Sequence, residues 1–239
     1  EGSGDSKTPF DGVEVTTSDN IGDGATETKA FSGVTFTAAG DYKFVIDETT
    51  TTEAGGWSYD DSTHEITVHV ADQNGQLVIT GIDDNNPTFT NSYKADPIDI
   101  GGDSGNAGIQ VQKTLTGRDW QTGDTFTFTL TAQDNAPMPA DVVEGSKSVT
   151  ITNETDKTLD FGQITYDTEG TYTYNVKETV PAEGALGGIT YDSHEVTVTV
   201  TVTDTDHDGK LDVPTVSYNK SEVGTTEADK SLTNAAAFT

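Results

Sequence analysis

Two glutamates stand where an apolar residue is expected, at the same place in two copies of one motif. The segment Tyr42-Lys43-Phe44-Val45-Ile46-Asp47-Glu48 reappears as Tyr172-Thr173-Tyr174-Asn175-Val176-Lys177-Glu178. Residues two apart on a strand share a face. Glu48 therefore shares a face with Tyr42, Phe44 and Ile46, and Glu178 with Tyr172, Tyr174 and Val176, while Thr171, Thr173, Asn175 and Lys177 form a polar opposite face. The same alternation puts Lys113 in phase with Ile109, Val111 and Leu115, and Asn91 in phase with Phe89 and Tyr93. A charge on the core side of a strand is costly unless a buried partner answers it.

A lysine, a glutamate and an asparagine on the core faces of different strands can be brought together inside one sandwich, and together they can react. Burial disfavours charge, so it lowers the pKa of a lysine and raises that of a glutamate. A neutral amine is a nucleophile, and a protonated carboxyl can polarise a carboxamide and relay protons. Rigid strands supply a high effective molarity. Attack on the carboxamide carbon then expels ammonia and leaves an isopeptide bond, in a single turnover. Plainer readings stand beside this one. The glutamates could be rim carboxylates, Lys113 a snorkelling side chain, and Asn91 a turn residue bonded to local backbone.

The elements that must position these groups come from a duplication. Phe31–Tyr42 lies over Phe161–Tyr172 without a gap, and Trp57–Val70 corresponds to Ile189–Val200. Turns follow in both copies, Asp72-Gln-Asn-Gly-Gln-Leu77 and Asp206-His-Asp-Gly-Lys-Leu211, and Asn-Gly and Asp-Gly are favoured in two-residue hairpins. Pro87-Thr-Phe-Thr90 matches Ala236-Ala-Phe-Thr239. Short alternating strands with Gly-rich turns predict an all-β chain of two tandem immunoglobulin-like antiparallel β-sandwich domains. The expected boundaries are residues 1–95, a Gly/Asp-rich linker over 96–108, and residues 109–239. Nothing before the first copy resembles Ile109–Trp120 or Phe126–Leu130, so the first domain reads as lacking its N-terminal strands and the second as cut near its last strand.

Composition narrows the function. The 239 residues carry 41 Asp plus Glu against 12 Lys plus Arg, a formal net charge of −29. That balance argues against a nucleic-acid partner or an anionic membrane surface, and suits solubility by self-repulsion outside a cell. Apolar residues make up only 31%, but Thr, Val, Ile, Tyr and Phe alternate as in strands. There is no cysteine, hence no disulfide or thiolate metal site. No signal peptide, sorting signal or membrane-spanning run is found, so the sequence reads as a soluble excised piece of something larger.

Lys113-Thr-Leu-Thr-Gly-Arg118, the Tyr-x-Tyr-x-Val-x-Glu strand ending at Glu178, Tyr191-Asp192 and Phe89-Thr-Asn-Ser-Tyr93 together resemble the streptococcal-type pilin isopeptide-linkage domain. The resemblance covers nearly the whole chain. That family occurs in Gram-positive pilin subunits and long surface adhesins. It implies Lys113 as nucleophile, Glu48 and Glu178 as catalytic carboxylates, and Asn91 as acceptor in the first copy. It further implies a cell-wall-anchored, extracellular stalk module that meets neighbouring repeats or pilin subunits. The first copy has its Glu and Asn but no matching Lys strand, since Lys7 aligns near Asn135 or Ala136 and not near Lys113. In the second copy the family Asn would directly follow Thr239; Asn234, in phase with Ala236 and Phe238, would be a displaced substitute. At least one of the two bonds is therefore expected to be missing.

Other signals are weaker. Asp204-Thr-Asp-His-Asp-Gly-Lys-Leu-Asp212 has calcium-loop spacing, but Thr215 occupies the position of the bidentate Glu, and no helices flank it. An acidic hairpin tip is the plainer reading, so no metal and no cofactor is assigned. His64 and His194 occupy equivalent positions and read as solvated strand residues. Trp57 and Trp120 read as core or rim aromatics. The alternative to a stalk is an adhesin ligand-binding module contacting a host protein or glycan, with the unrepeated stretch Asn219–Ala235 as its loop. An enzyme would need a convergent polar pocket that the sequence does not supply.

Overall fold

Alternation of β-branched and aromatic residues with Thr and Ser makes strands throughout, and no helix occurs among the described residues of a computed structural model of the chain. The described residues are 13–17, 24–49, 55–142, 145–181, 186–221, 231–232 and 235–239. They form two units, residues 1–53 with 58–92, and residues 54–57 with 93–239.

The first unit holds β1 (Gly40–Asp47), β3 (Thr63–Gln73) and β4 (Gln76–Asp83), while β2 (Trp57–Ser58) and β5 (Ser92–Tyr93) lie where the chain passes between units. The order is β1-β3-β4, antiparallel throughout, with Tyr42 opposite Val68 and Phe44 opposite Ile66. Ile66, Val68 and Val70 are buried, with Phe36, Tyr42, Phe44 and Ile46 packed on them. The β3–β4 turn is the expected two-residue hairpin: Asn74 and Gly75 both have positive φ (59° and 83°), as a type I′ turn requires.

The second unit continues with β6 (Ile98–Ile100), β7 (Gln110–Lys113), β8 (Thr125–Ala132), β9 (Ser146–Thr152), β10 (Thr158–Asp160) and β11 (Ile164–Tyr166). It ends with β12 (Gly170–Glu178), β13 (Glu195–Val202), β14 (Thr215–Ser221), β15 (Ser231–Leu232) and β16 (Ala236–Phe238). A six-stranded sheet, β15-β14-β13-β12-β8-β9, forms one layer; β10-β7-β16 and β11-β6 form the other. Phe126, Phe128 and Leu130 of β8, Tyr174 and Val176 of β12, and Val196, Val198 and Val200 of β13 meet Ile100, Val111 and Phe238 in one core. This is the two-layer sandwich expected of the alternation.

Two stretches differ from expectation. Residues 96–108, read as a linker, carry β6, whose Ile100 is fully buried and pairs with Ile164 of β11. Three residues were too few to raise a strand signal above the Gly and Asp around them. The second copy's turn is also no tight hairpin. Strand β13 ends at Val202 and β14 begins at Thr215, because Asp204 and Leu211 both turn inward and are buried.

The Gly117–Asp124 turn that carries β7 into β8 is pinned by Arg118, which donates to both oxygens of Asp124 at 2.7 and 2.8 Å. This bidentate contact, helped by the Gln121 N–H, holds the Asp124 carboxyl at about 2. A folded-state pKa below the ordinary 3.8 stabilises the fold above that value, and the stabilisation disappears as pH falls towards 2. Urea unfolding of wild type and Asp124→Asn at a series of pH values should therefore show a gap at pH 5 that closes by about pH 2.

Candidate crosslinking site

In the second unit, β7 and β12 aim one ionisable residue each into the core. Along β7 the side chains alternate, with Val111 and Lys113 buried and Gln112 exposed. Along β12, Tyr174, Val176 and Glu178 are buried and Lys177 is exposed. Lys113 and Glu178 meet there with side chains 1% and 0% exposed. The Lys113 Nζ lies 3.0 Å from Glu178 Oε1 and donates a hydrogen bond to Oε2 at 3.1 Å. It also stands 4.8 Å from the centre of the Phe126 ring, a cation–π contact. Glu178 Oε2 accepts the Asp192 backbone N–H at 2.8 Å, whereas Oε1 accepts no hydrogen bond.

The last strand runs alongside. β16 pairs with β7 in parallel, with Phe238 in register with Lys113, and Thr114 N–H donates to the Phe238 carbonyl at 2.8 Å. Thr239 N–H donates to Asp192 Oδ2 at 3.0 Å. Ala236 and Phe238 are buried while Thr239 is exposed, so a residue following Thr239 on the same strand takes the Lys113 side.

The first unit holds the complementary pair. Asn91 Nδ2 donates to Glu48 Oε1 at 2.8 Å, and the Asp60 backbone N–H donates to Asn91 Oδ1 at 2.9 Å. Thr90 N–H donates to Asp60 Oδ2 at 2.9 Å, repeating the contact between Thr239 and Asp192. The carboxamide is thus gripped at both ends: its oxygen by a backbone donor, its nitrogen by a carboxylate. Glu48 is half-buried and Asn91 exposed, in contrast to the sealed Lys113–Glu178 pair. Among the described residues no lysine meets Glu48 and no carboxamide meets Lys113. Lys7, Asn234 and most of the Asn219–Ala235 stretch lie outside the described residues.

Two repeated positions have roles that the sequence reading did not assign. Asp60 and Asp192 use their carboxylates to hold the Thr90 and Thr239 N–H groups, and each points its own backbone N–H at the site. Bonds from Ser62 and from Thr90 N–H keep Asp60 at about 2, so this clasp stays ionised in mild acid. His194 is not solvated. Its side chain is 5% exposed, its Nδ1 lies 2.5 Å from Asp192 Oδ1, and its ring stacks on Phe238 at 4.5 Å. His64 meets Phe89 edge-on at 5.0 Å. The recurrence of Tyr-Asp and His-Glu in both copies was the available signal. Trp120 packs on Phe126 at the rim of the core, as expected of such an aromatic.

Comparison with known proteins identifies the family of the chain. The family model of FctA, the Spy0128-like isopeptide containing domain, matches residues 3–94 and again residues 109–237. No curated protein matches. Among solved structures, the chain is similar to the major pilin of Streptococcus pyogenes at 16% identity, over 60% of this chain and 49% of that one, with a TM-score of 0.32. A mutant of that pilin matches at 17% identity over 86% and 70% of the two chains, with a TM-score of 0.29. The T3.2 major pilin of Streptococcus pyogenes matches at 18% identity over 85% and 66%, with a TM-score of 0.25. The chain thus spans about half the length of the first of these pilins. With both of its units matched, the chain belongs to the family of FctA, the Spy0128-like isopeptide containing domains.

Proposed function

We propose that this chain is a structural stalk module of a Gram-positive pilin or surface adhesin, built to be stiffened by a Lys–Asn isopeptide bond. The observation that carries the reading is the buried Lys113–Glu178 pair, with Lys113 in register with Phe238 of β16, whose counterpart segment in the first unit presents Asn91 to Glu48. Lys113 is the nucleophile, Glu178 and Glu48 are the carboxylates, and Asn91 is the acceptor in its own unit.

The chemistry balances without a cofactor. The lysine nitrogen forms a bond to the carboxamide carbon, and the bond from that carbon to the amide nitrogen breaks. One proton passes from the lysine nitrogen through the glutamate to the departing ammonia. The Asp60 N–H, which holds the Asn91 oxygen at 2.9 Å, faces the carbonyl oxygen as charge builds on it, the role of an oxyanion donor. Each site reacts once, so this is self-processing and not turnover of a substrate.

The mechanical consequence follows from topology. β7 and β16 are parallel neighbours. A bond from Lys113 to an asparagine following Thr239 lets tension pass from one strand into the other, leaving residues 114–239 outside the load path. Such a tie suits an extracellular filament made without cysteine. The partners of this reading are neighbouring repeats or pilin subunits.

The test is intact mass. The chain with one asparagine added after Thr239 should be one ammonia lighter than its sequence mass. The same chain with Glu178→Ala should keep its full mass. Full mass in both would refute the crosslinking reading.

A further inference from the structure

We infer that the loop of residues 203–214 in the second unit is a calcium site formed by Asp204, Asp206 and Asp208. Each of these carboxylates offers an oxygen, and the three oxygens lie within 4.8 Å of one another. Among the described residues none of the three forms an ion pair with a lysine, arginine or histidine. Three like charges at this separation repel unless a cation lies between them.

Asp204 makes the cluster more than an acidic surface. It is 1% exposed, and its Oδ1 is buried without a hydrogen-bond partner. A buried, unanswered carboxylate oxygen is costly. Its other oxygen accepts the Tyr93 hydroxyl, which in turn accepts Gly209 N–H at 3.0 Å. That relay fixes the orientation of the carboxylate, as outer-shell hydrogen bonds fix metal ligands. Asp212 serves the loop instead. Its Oδ2 takes the Thr203 and Thr205 hydroxyls and the Thr205 N–H, closing the chain behind the cluster.

All three donors are hard carboxylate oxygens, which excludes a soft-metal site. Their spacing at alternate residues, with Gly209 at φ 88° directly after Asp208, is that of a calcium loop. Thr215 at the twelfth position and the strands on either side remove the helix pair and the bidentate glutamate. A site with fewer protein ligands and more water fits calcium, which accepts six to eight oxygens in flexible geometry, better than magnesium, which demands a near-ideal octahedron. Calcium binding at this loop is independent of the crosslinking chemistry.

Calorimetric titration of the purified, chelator-treated chain with calcium chloride tests it, with Tyr-sensitised terbium luminescence as a second readout. One saturable site is expected, with a dissociation constant on the order of 10⁻⁴–10⁻³ M. Asp206→Asn with Asp208→Asn, two exposed positions, should weaken binding at least about tenfold, and Asp206→Asn alone should weaken it measurably. No saturable binding up to about 10 mM calcium would overturn the proposal. So would unchanged affinity in either variant, which would mean diffuse attraction to a chain of net charge −29, or magnesium binding as tightly as calcium.

Discussion

Replacing Glu178 by alanine in this chain is expected to destabilise the second unit by about 3–5 kcal/mol, one of the largest single-site effects the structure offers. The reason is what the substitution leaves behind. The Lys113 Nζ sits in the core with its side chain 1% exposed, and its named contacts are the Glu178 carboxylate and the Phe126 ring. Without the carboxylate, a buried ammonium keeps only the ring. The Asp192 N–H loses its acceptor as well. Replacing both partners together, Lys113→Met with Glu178→Leu, should behave quite differently. Removing a buried pair for apolar residues of similar size is commonly neutral or stabilising by roughly 1–4 kcal/mol. Urea unfolding of the two variants separates these outcomes. Equal and small effects would mean that water reaches the pair and that its burial is only apparent.

The second large effect concerns the bond itself. A link between Lys113 and an asparagine placed after Thr239 closes a ring of more than a hundred residues. In the chain-entropy treatment of crosslinks such a ring is worth about 4–5 kcal/mol. For a unit of this size that corresponds to a rise in melting temperature of roughly 10–15 °C. The control is the chain with an alanine added instead, which keeps the Lys113–Glu178 pair intact and lacks only the acceptor. Scanning calorimetry of the two should show the higher transition moving and the lower one unchanged, since the first unit is the same in both. A shift in both, or in neither, would contradict the assignment of the bond to β7 and β16.

Much of the site was legible because strand periodicity is strict. With a period of two, a single Lys or Glu in the apolar phase can be identified by counting, and Lys113 and Glu178 are buried where the count puts them. The duplication doubled that signal for Glu48. The parts that escaped depend on where separate segments meet. Asp60 and Asp192 look like ordinary turn acids until the last strand is laid beside them, when Thr90 and Thr239 turn out to be their partners. His194 alternates like a solvated residue but sits on Phe238, a contact between segments far apart in sequence. Strand β6 was hidden by its own brevity. The 203–214 loop was hidden by its resemblance to a hairpin: Asp-Gly marks a turn, but only the burial of Asp204 and Leu211 shows that the chain folds inward there.

The two carboxylates in the apolar phase have different partners. Glu178 answers a buried lysine, and Glu48 holds the nitrogen of a carboxamide whose oxygen is held by the Asp60 N–H. In the proposed chemistry, these contacts supply the nucleophile and its carboxylate in one unit and the acceptor and its carboxylate in the other. Peptide mapping by mass spectrometry tests that chemistry most directly, using the chain with one asparagine added after Thr239. The expected product is a branched peptide joining Lys113 to the added asparagine, one ammonia lighter than its two arms and absent when Glu178 is alanine. Linear peptides of full mass, or a branch that survives Glu178→Ala, would contradict the proposed chemistry.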